Sequence, residues 1–307
     1  MRSWRLNTPV AFLVFNRPET TRKVFEAIRE ARPPRLLVVA DGPRDGRLGE
    51  AEKCVAVRKI IDEVDWPCEV QKVYSDVNLG CKKRVSGGLD WVFSTVKEAI
   101  ILEDDCLPSH TFFRFCEELL ERYRDDTRVM QICGFNRLGC YKSYKYSYYF
   151  SKYGPIWGWA SWQRAWRYYD VNMEIWPIVK KDMAIRFVSE NRKEWNWRFS
   201  LYNKLYNGEI DTWDYQWGFA KLINSGISII PAKNLINNIG FGDEATHTRN
   251  VNKDDFSSKP FDMDYPLIHP EYVIRNLEKD LEYLNSVVPS KTSSILRKLK
   301  KLAYIWL

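Results

Sequence analysis

The run IILEDDCLPS places three consecutive carboxylates, Glu103, Asp104 and Asp105, directly after an apolar segment. Like charges side by side repel one another and resist desolvation, so a fold gathers them either on a solvated surface or around a cation. Mg2+ or Mn2+ suits such a set, because these hard ions take oxygen ligands and a site built on one or two carboxylates leaves positions for phosphate oxygens and water. A metal bridging a diphosphate neutralises the charge that builds as the diphosphate departs, so the pattern points to chemistry on a nucleoside diphosphate derivative. Displacement at carbon also needs a group to take the proton from the attacking hydroxyl. The segment GEIDTWDYQWGFAKLINSG offers Asp211 and Asp214 for that task. Its apolar frame of Trp213, Trp217, Phe219 and Leu222 puts Asp214 at the start of a buried helix, where capping is an equally good use for an aspartate.

The elements that must position these groups read as an alternation. PVAFLVF from Pro9 and RLLVVADGPR are β-favouring runs, and RPETTRKVFEAIRE between them carries Val24, Phe25 and Ile28 at helical spacing. A polar helix through Ile60 and Ile61, a third strand CEVQKVYS, a helix from about Lys82 to Val96 and a fourth strand EAIILEDD complete the pattern. Alternation of this kind implies an open α/β sheet, mainly parallel, with helices on both faces. Ligands in such sheets collect beyond the carboxyl ends of the strands. Three of those ends carry polar residues: Asn16-Arg17, Asp41-Gly42 and Glu103-Asp104-Asp105. That coincidence favours a site over a solvated surface. GxGxxG after the first strand and GxxxxGK[ST] are both missing from the sequence, and NLGCKKRVSGG has its glycines at the wrong spacing, which disfavours a dinucleotide site and a P-loop.

An aromatic-rich stretch follows, YSYYFSKYGPIWGWASWQRAWRYYD. Trp159, Trp162 and Trp166 stand at helical spacing and are expected in the core, whereas the turn Gly154-Pro155-Ile156-Trp157-Gly158 is the better candidate for touching a ligand. With 307 residues, 45% of them hydrophobic, the chain buries a large core. Its 47 basic against 40 acidic residues give a net charge of +7, which suits anionic ligands or membrane surfaces but falls short of a dedicated nucleic-acid binder, and no nucleic-acid partner is expected. Seven cysteines without a CxxC pair argue against a disulfide framework or a zinc knuckle and favour a reducing, cytoplasmic setting. The apolar run before Asn16 is too short to span a membrane and lacks a signal-peptide cleavage pattern. At the other end, SILRKLKKLAYIWL repeats Ile295, Leu299, Leu302 and Trp306 at helical spacing opposite Arg297, Lys298, Lys300 and Lys301. This is either a peripheral membrane-surface helix or a helix packed on the domain.

Taken in order, PVAFLVFNRPETTRKVFEAI, VVADG, AIILEDDCLPSHTFFRFCEELLERYRDDTRVMQICGFN, YGPIWGWASWQRAW, WDYQW and NIGFGDEATHT make the chain similar to nucleotide-sugar glycosyltransferases of the GT-A fold. The resemblance is to the N-acetylglucosaminyltransferase I type and the bacterial hemolysin-like proteins related to it, and it runs over roughly residues 8 to 250. It implies a Rossmann-like fold with a mixed central sheet. It further implies a nucleotide-sugar and metal-binding half over residues 1–137, an acceptor and catalytic-base half over 138–270, and a helical basic tail over 271–307. In that family's pattern Arg17 and Asp41 match nucleotide-holding positions, Asp41 facing the uridine, and Asp105 of the DXD-like triplet matches the direct ligand of Mn2+ or Mg2+. Glu103 and Asp104 match residues facing the donor sugar and ribose, Gly158 and Trp159 match a turn lining the donor pocket, and Asp214 matches the catalytic base, leaving Asp211 a surface role. GFGDEATHT matches a segment that closes over the donor; its His247 either contacts the diphosphate or metal or is simply exposed.

The resemblance thus implies metal-dependent, inverting transfer from a UDP-sugar to a hydroxyl of a glycan or lipid-linked glycan. The eukaryotic members work in an oxidising lumen behind a membrane anchor, so compartment and acceptor do not carry over. Two rivals stand beside this reading. One is a nucleotidyltransferase on a similar sheet, though FNRPETTRK lacks the glycine-rich basic loop such an enzyme uses after its first strand. The other is a non-catalytic carbohydrate- or membrane-binding protein that uses the tryptophans and the basic tail.

Overall fold

The computed structural model describes residues 4–140, 144–240 and 260–288. Strands β1 (Val10–Val14), β2 (Arg35–Ala40), β3 (Glu69–Tyr74) and β4 (Glu98–Glu103) alternate with helices α1 (Pro18–Ala31), α2 (Glu50–Ile61) and α3 (Gly80–Thr95), as expected. Pro18 opens α1 at its first turn, where its missing N–H costs no hydrogen bond. All five residues of β1 are buried because both of its faces are covered. Val10, Phe12 and Val14 join Leu36, Val38, Ile100 and Leu102 in one core layer, against Val24, Phe25 and Ile28 of α1. The intervening Ala11, Leu13, Leu37, Val39 and Ile101 point the other way, against Leu89, Val92 and Phe93 of α3. The two-residue period of a strand thus divides an unbroken apolar run between two helix layers.

The rest of the chain contributes β5 (Cys106–Pro108), α4 (Phe112–Arg122), β6 (Val129–Cys133), β7 (Tyr148–Ser151), β8 (Trp159–Trp162), α5 (Gln163–Trp166), α6 (Trp176–Lys181), α7 (Arg192–Tyr206), α8 (Asp214–Ile223), β9 (Ile227–Pro231), β10 (Ile236–Asn238) and α9 (Leu277–Val287). Eight strands form one sheet in the order β3-β2-β1-β4-β8-β6-β9-β7. The first four are mutually parallel, β8 runs antiparallel to both β4 and β6, and β7 antiparallel to β9. This is the expected mixed α/β architecture. The sheet is continuous across position 137, since β8 lies between β4 and β6. A separate two-stranded ribbon pairs β10 with β5 immediately beyond the acidic triplet.

The tryptophan spacing that suggested a helix belongs instead to β8 followed by the short α5. Positions three apart on a strand face opposite ways, so Trp162 enters the α1/α4 layer while Trp159 enters the α3/α8 layer with Trp166. Burial on both faces removed the alternation that would have marked the strand. A third apolar cluster joins α6 and α7 to α8 through Trp176, Tyr202 and Phe219. The described part of the C-terminal segment packs on the domain: Asn276 N donates to Phe150 O at 2.7 Å and Asp280 accepts from Ser151 Oγ at 2.5 Å. The basic amphipathic run beginning at Ile295 lies outside the described residues, as does His247. Among the described residues no helix is long and apolar enough to cross a membrane, and all seven thiols are free.

Candidate functional site

After β1 the chain crosses to β2 and β3 on one side, then returns to place β4 on the other side of β1. The carboxyl ends of β1 and β4 therefore part at a topological switch point, the place in an open α/β sheet where loops diverge and leave a crevice. Asn16-Arg17 leaves one lip and Asp104-Asp105 the other, and they meet. Arg17 Nη2 lies 3.0 Å from Asp104 Oδ1, and its Nη1 lies 2.6 Å from Asp105 Oδ2. Phe15 N donates to the second oxygen of Asp104 at 3.1 Å.

Three carboxylates gather around this one guanidinium, and the imbalance shows in the acidities of Glu103 and Asp104. Burial pushes the Glu103 carboxyl well above the ordinary carboxylate range, with Asp105 and Asp104 adding repulsion. Asp104 is pushed up to about 6, again mainly by burial, while Arg17 pulls against the shift. Glu103 Oε1 is buried with no hydrogen-bond partner. A buried acceptor left without a donor, in a cluster with surplus negative charge, is the environment a cation relieves. Among the described residues no three His, Cys, Asp or Glu are arranged as a metal cage. The residues that could hold a hard divalent ion here are Asp105 and its neighbouring carboxylates, whose oxygens are the donor type such an ion takes.

The chain leading into segment 241–259 passes directly over the triplet. Ile239 N donates to Asp105 O at 2.8 Å, and a Cβ on Gly240 would lie 2.2 Å from Asp105 Oδ2 and 2.6 Å from Arg17 Nη1. Only glycine allows so close an approach.

The other expected residues divide. Both carboxylate oxygens of Asp41 are engaged at the start of α3. Oδ1 accepts from Gly42 N and Leu79 N at 2.9 Å each, and Oδ2 from Asn78 Nδ2 at 3.1 Å and Gly80 N at 3.2 Å. Asp41 therefore builds the crevice wall by tying β2 to α3. Gly158 sits at φ +56 with its carbonyl accepting from Gly134 N at 2.7 Å, as a turn must, and a side chain there would strike Ile236. Trp159 departs from the expected role: it is 0% exposed, stacked on Trp213 with ring centroids 5.9 Å apart, and touches the crevice only through its neighbours. Its place beneath Trp213 makes it a support for the Trp-Asp pair.

Asp214 is the first residue of α8, after the N-cap Trp213, which offers no side-chain cap. Thr212 Oγ1 donates to its carboxylate, and Tyr169 OH donates to Trp213 O at 3.2 Å, so the start of the helix is held from both sides. Asp214 is close enough to Glu103 to add a small repulsion there. Asp211 is exposed. Asp214 also borders a cavity of about 280 Å3 walled by aromatic residues of α7 and α9 and by the turn before β8. A larger, open hollow of about 690 Å3 lies at the opposite, amino end of β1 and β4, away from these groups.

Sequence reading missed one cluster. On α7 the buried Glu194 accepts from Arg198 Nε at 2.8 Å, from Tyr153 OH at 2.8 Å and from Lys152 Nζ at 2.9 Å. Its one sequence signal was the Glu-Arg spacing of four residues in EWNWR, since Lys152 reaches it from 42 residues away.

No family model and no curated protein matches the chain. Among solved structures it is similar to a UDP-glucose pyrophosphorylase complexed with UDP-glucose, at 12% identity and TM-score 0.27 over 49% of this chain and 64% of the other. It is also similar to a 4-diphosphocytidyl-2C-methyl-D-erythritol synthase from Anaerococcus prevotii, at 9% identity and TM-score 0.31 over 61% and 79%. A third likeness is to an active-site mutant of LgtC, at 12% identity and TM-score 0.32 over 57% and 64%. The chain spans less than two thirds of the first and third of these, and the likenesses are partial, so the architecture of this protein rests on its own topology.

Proposed function

We propose that the protein is a glycosyltransferase that uses a nucleoside diphosphate sugar, with a UDP-sugar as the expected donor and a hydroxyl of a glycan or lipid-linked glycan as acceptor. The observation that carries this reading is the convergence at the β1/β4 switch point of Glu103, Asp104, Asp105 and Arg17, with Asp214 within electrostatic reach. Asp105 would hold Mn2+ or Mg2+, and the ion would supply charge neutralisation to the diphosphate when bound. Arg17 orients Asp105 and keeps positive charge at the crevice. Asp41 holds the wall against which the nucleoside lies, and Gly158 keeps the opposite turn tight. His247 belongs to the segment that follows Gly240 and is proposed as a diphosphate contact.

In the step itself an acceptor oxygen bonds to the anomeric carbon while the bond from that carbon to the diphosphate oxygen breaks, its electron pair leaving with the nucleoside diphosphate. The acceptor proton passes to the Asp214 carboxylate. A base on the side opposite the leaving group makes this a single displacement with inversion. The test is a release assay with Mn2+ present: UDP released from a UDP-sugar supports the reading, and the configuration of the new bond tests inversion. Pyrophosphate released from a nucleoside triphosphate instead would identify a nucleotidyltransferase on the same crevice.

A further inference from the structure

Helix α6 and the 3-10 turn that follows it, Ala184–Arg186, bury one face and leave the other unpartnered. Trp176, Val179 and Ile185 are buried in the cluster that α6 shares with α7 and α8. On the outer side Ile175, Ile178 and Lys181 recur at every third residue and so form one ridge. Ile175 is 45% exposed and Ile178 61%, and just past the end of α6 Met183 is 43% and Phe187 83% exposed. Four large apolar side chains left in water by so short a stretch make a patch, unlike the scattered single residues that any surface carries.

Two observations indicate what covers this patch. Met183 follows the C-cap of α6 in the left-handed conformation, at φ 53 and ψ 28. Glycine is the usual residue at that position, because a β-carbon is strained there. A bulky apolar side chain thus occupies a strained backbone position and still stands in water, so packing within the chain does not account for it. The second observation is charge. Lys180, Lys181, Arg186 and Arg192 are exposed among the apolar residues, against Glu174 and Asp182 of opposite sign. Among the described residues Lys181, Arg186 and Arg192 have no ion-pair partner. The neighbouring Glu190 is already taken by Lys152 at 3.0 Å and Arg275 at 2.5 Å. The core of an interface with another protein, or with a second copy, is depleted of lysine. A bilayer interface instead takes apolar side chains into its acyl boundary and cations against its phosphates.

We propose that the outer face of α6 and the following turn docks on an anionic phospholipid bilayer. Ile175, Ile178, Met183 and Phe187 enter the boundary between headgroups and acyl chains, with Lys181, Arg186 and Arg192 against lipid phosphates. This surface is other than the basic run beginning at Ile295, and it does not depend on the transferase reading. On the buried side of α6, Trp176 meets Phe219 of α8 edge-on with ring centroids 5.9 Å apart, so the docked face and the helix that begins at Asp214 belong to one packed unit. A lipid-linked acceptor would then lie in the same membrane that holds this unit, a consequence that does rest on the transferase reading.

The experiment floats the full chain with vesicles of phosphatidylglycerol mixed into phosphatidylcholine and with vesicles of phosphatidylcholine alone, at low and high salt. Binding to the anionic vesicles that weakens with salt is expected. Ile178→Ser combined with Phe187→Ser should weaken it by at least about tenfold, since both side chains withdraw apolar area from the boundary. Lys181→Glu combined with Arg186→Glu should weaken it by about as much. Both double variants should melt with wild type, because all four side chains are exposed. Should either fold poorly, Met183→Gly keeps the test decisive: glycine accepts the left-handed backbone, so the melting temperature should be unchanged or raised while binding falls about threefold or more. No binding of wild type to anionic vesicles, or binding unchanged in the variants, overturns the proposal. A dimer in sedimentation velocity that the serine pair dissociates also overturns it, in favour of a second copy on this face. UDP release from a UDP-sugar in free solution should be the same for wild type and the serine pair, so loss of vesicle binding leaves the transferase reading standing.

Discussion

Replacing Arg17 with methionine keeps the aliphatic length of the side chain and removes the charge that bridges Asp104 and Asp105. The side chains involved are 19%, 4% and 12% exposed, so the remaining carboxylates stay largely out of water. Breaking a buried ion pair by removing one partner costs roughly 3–5 kcal/mol, because the surviving charge is left uncompensated. Two features pull the value to the lower end, about 3 kcal/mol: Arg17 is partly open to solvent, and Asp104, already pushed up to about 6, gains relief by taking a proton. For a chain of this length that corresponds to a melting-temperature drop on the order of 5 °C, read by thermal unfolding at pH 8 in EDTA. Adding Mn2+ should recover part of the loss, since an ion that binds the native cluster stabilises it by mass action. A variant melting within about 2 °C of wild type in EDTA would show that the carboxylates do not depend on the guanidinium, and a cation site at the triplet would lose its electrostatic basis.

Four other outcomes are expected. Asp214→Asn should cut transfer by about 10^2 to 10^4-fold, the usual contribution of a general base, with nucleotide affinity nearly unchanged; an active variant refutes the assignment. Asp105→Ala should weaken Mn2+-dependent nucleotide binding in calorimetry, and unchanged affinity counts against its role as ligand. Gly158→Ala forces a β-carbon into φ +56 and against Ile236, so urea unfolding should show a loss of roughly 1–3 kcal/mol. Asp280 is fully buried, and burial pushes its carboxyl from 3.8 up to about 6. Its stabilising contribution is therefore complete below about pH 4 and lost as pH rises through 6. Relative to Asp280→Asn, wild type should lose about 3 kcal/mol between pH 4 and pH 8, and parallel pH profiles would contradict the assignment.

The candidate site was unevenly legible. Arg17 and the triplet were visible because each directly follows a strand whose apolar run is local, and the switch-point rule then places strand ends together without further information. The cover over Asp105 is foreshadowed by NIGFG but depends on β10 pairing with β5, a contact between segments about 130 residues apart in the chain. Asp41 has the right type and place, yet its carboxylate is consumed by the turn at residues 78–80, which its own neighbours in sequence do not reveal. Arg198 went unnoticed because its environment combines α7 neighbours with Tyr153, a residue 45 positions earlier in the turn before β8.

The sequence alone determined the alternation of β1 to β4 with α1 to α3, the presence of acidic and basic groups at strand ends, and the helix that begins at Asp214. Each follows from periodicity within a dozen residues, where backbone geometry dictates which side chains share a face. The tertiary structure alone decided that WASW is a strand inserted antiparallel beside β4, that Trp159 and Trp162 look into opposite layers, and that Asp214 adjoins an aromatic cavity. Those outcomes come from hydrogen-bond pairing and burial between distant segments, and a strand covered on both faces leaves no local alternation to reveal them.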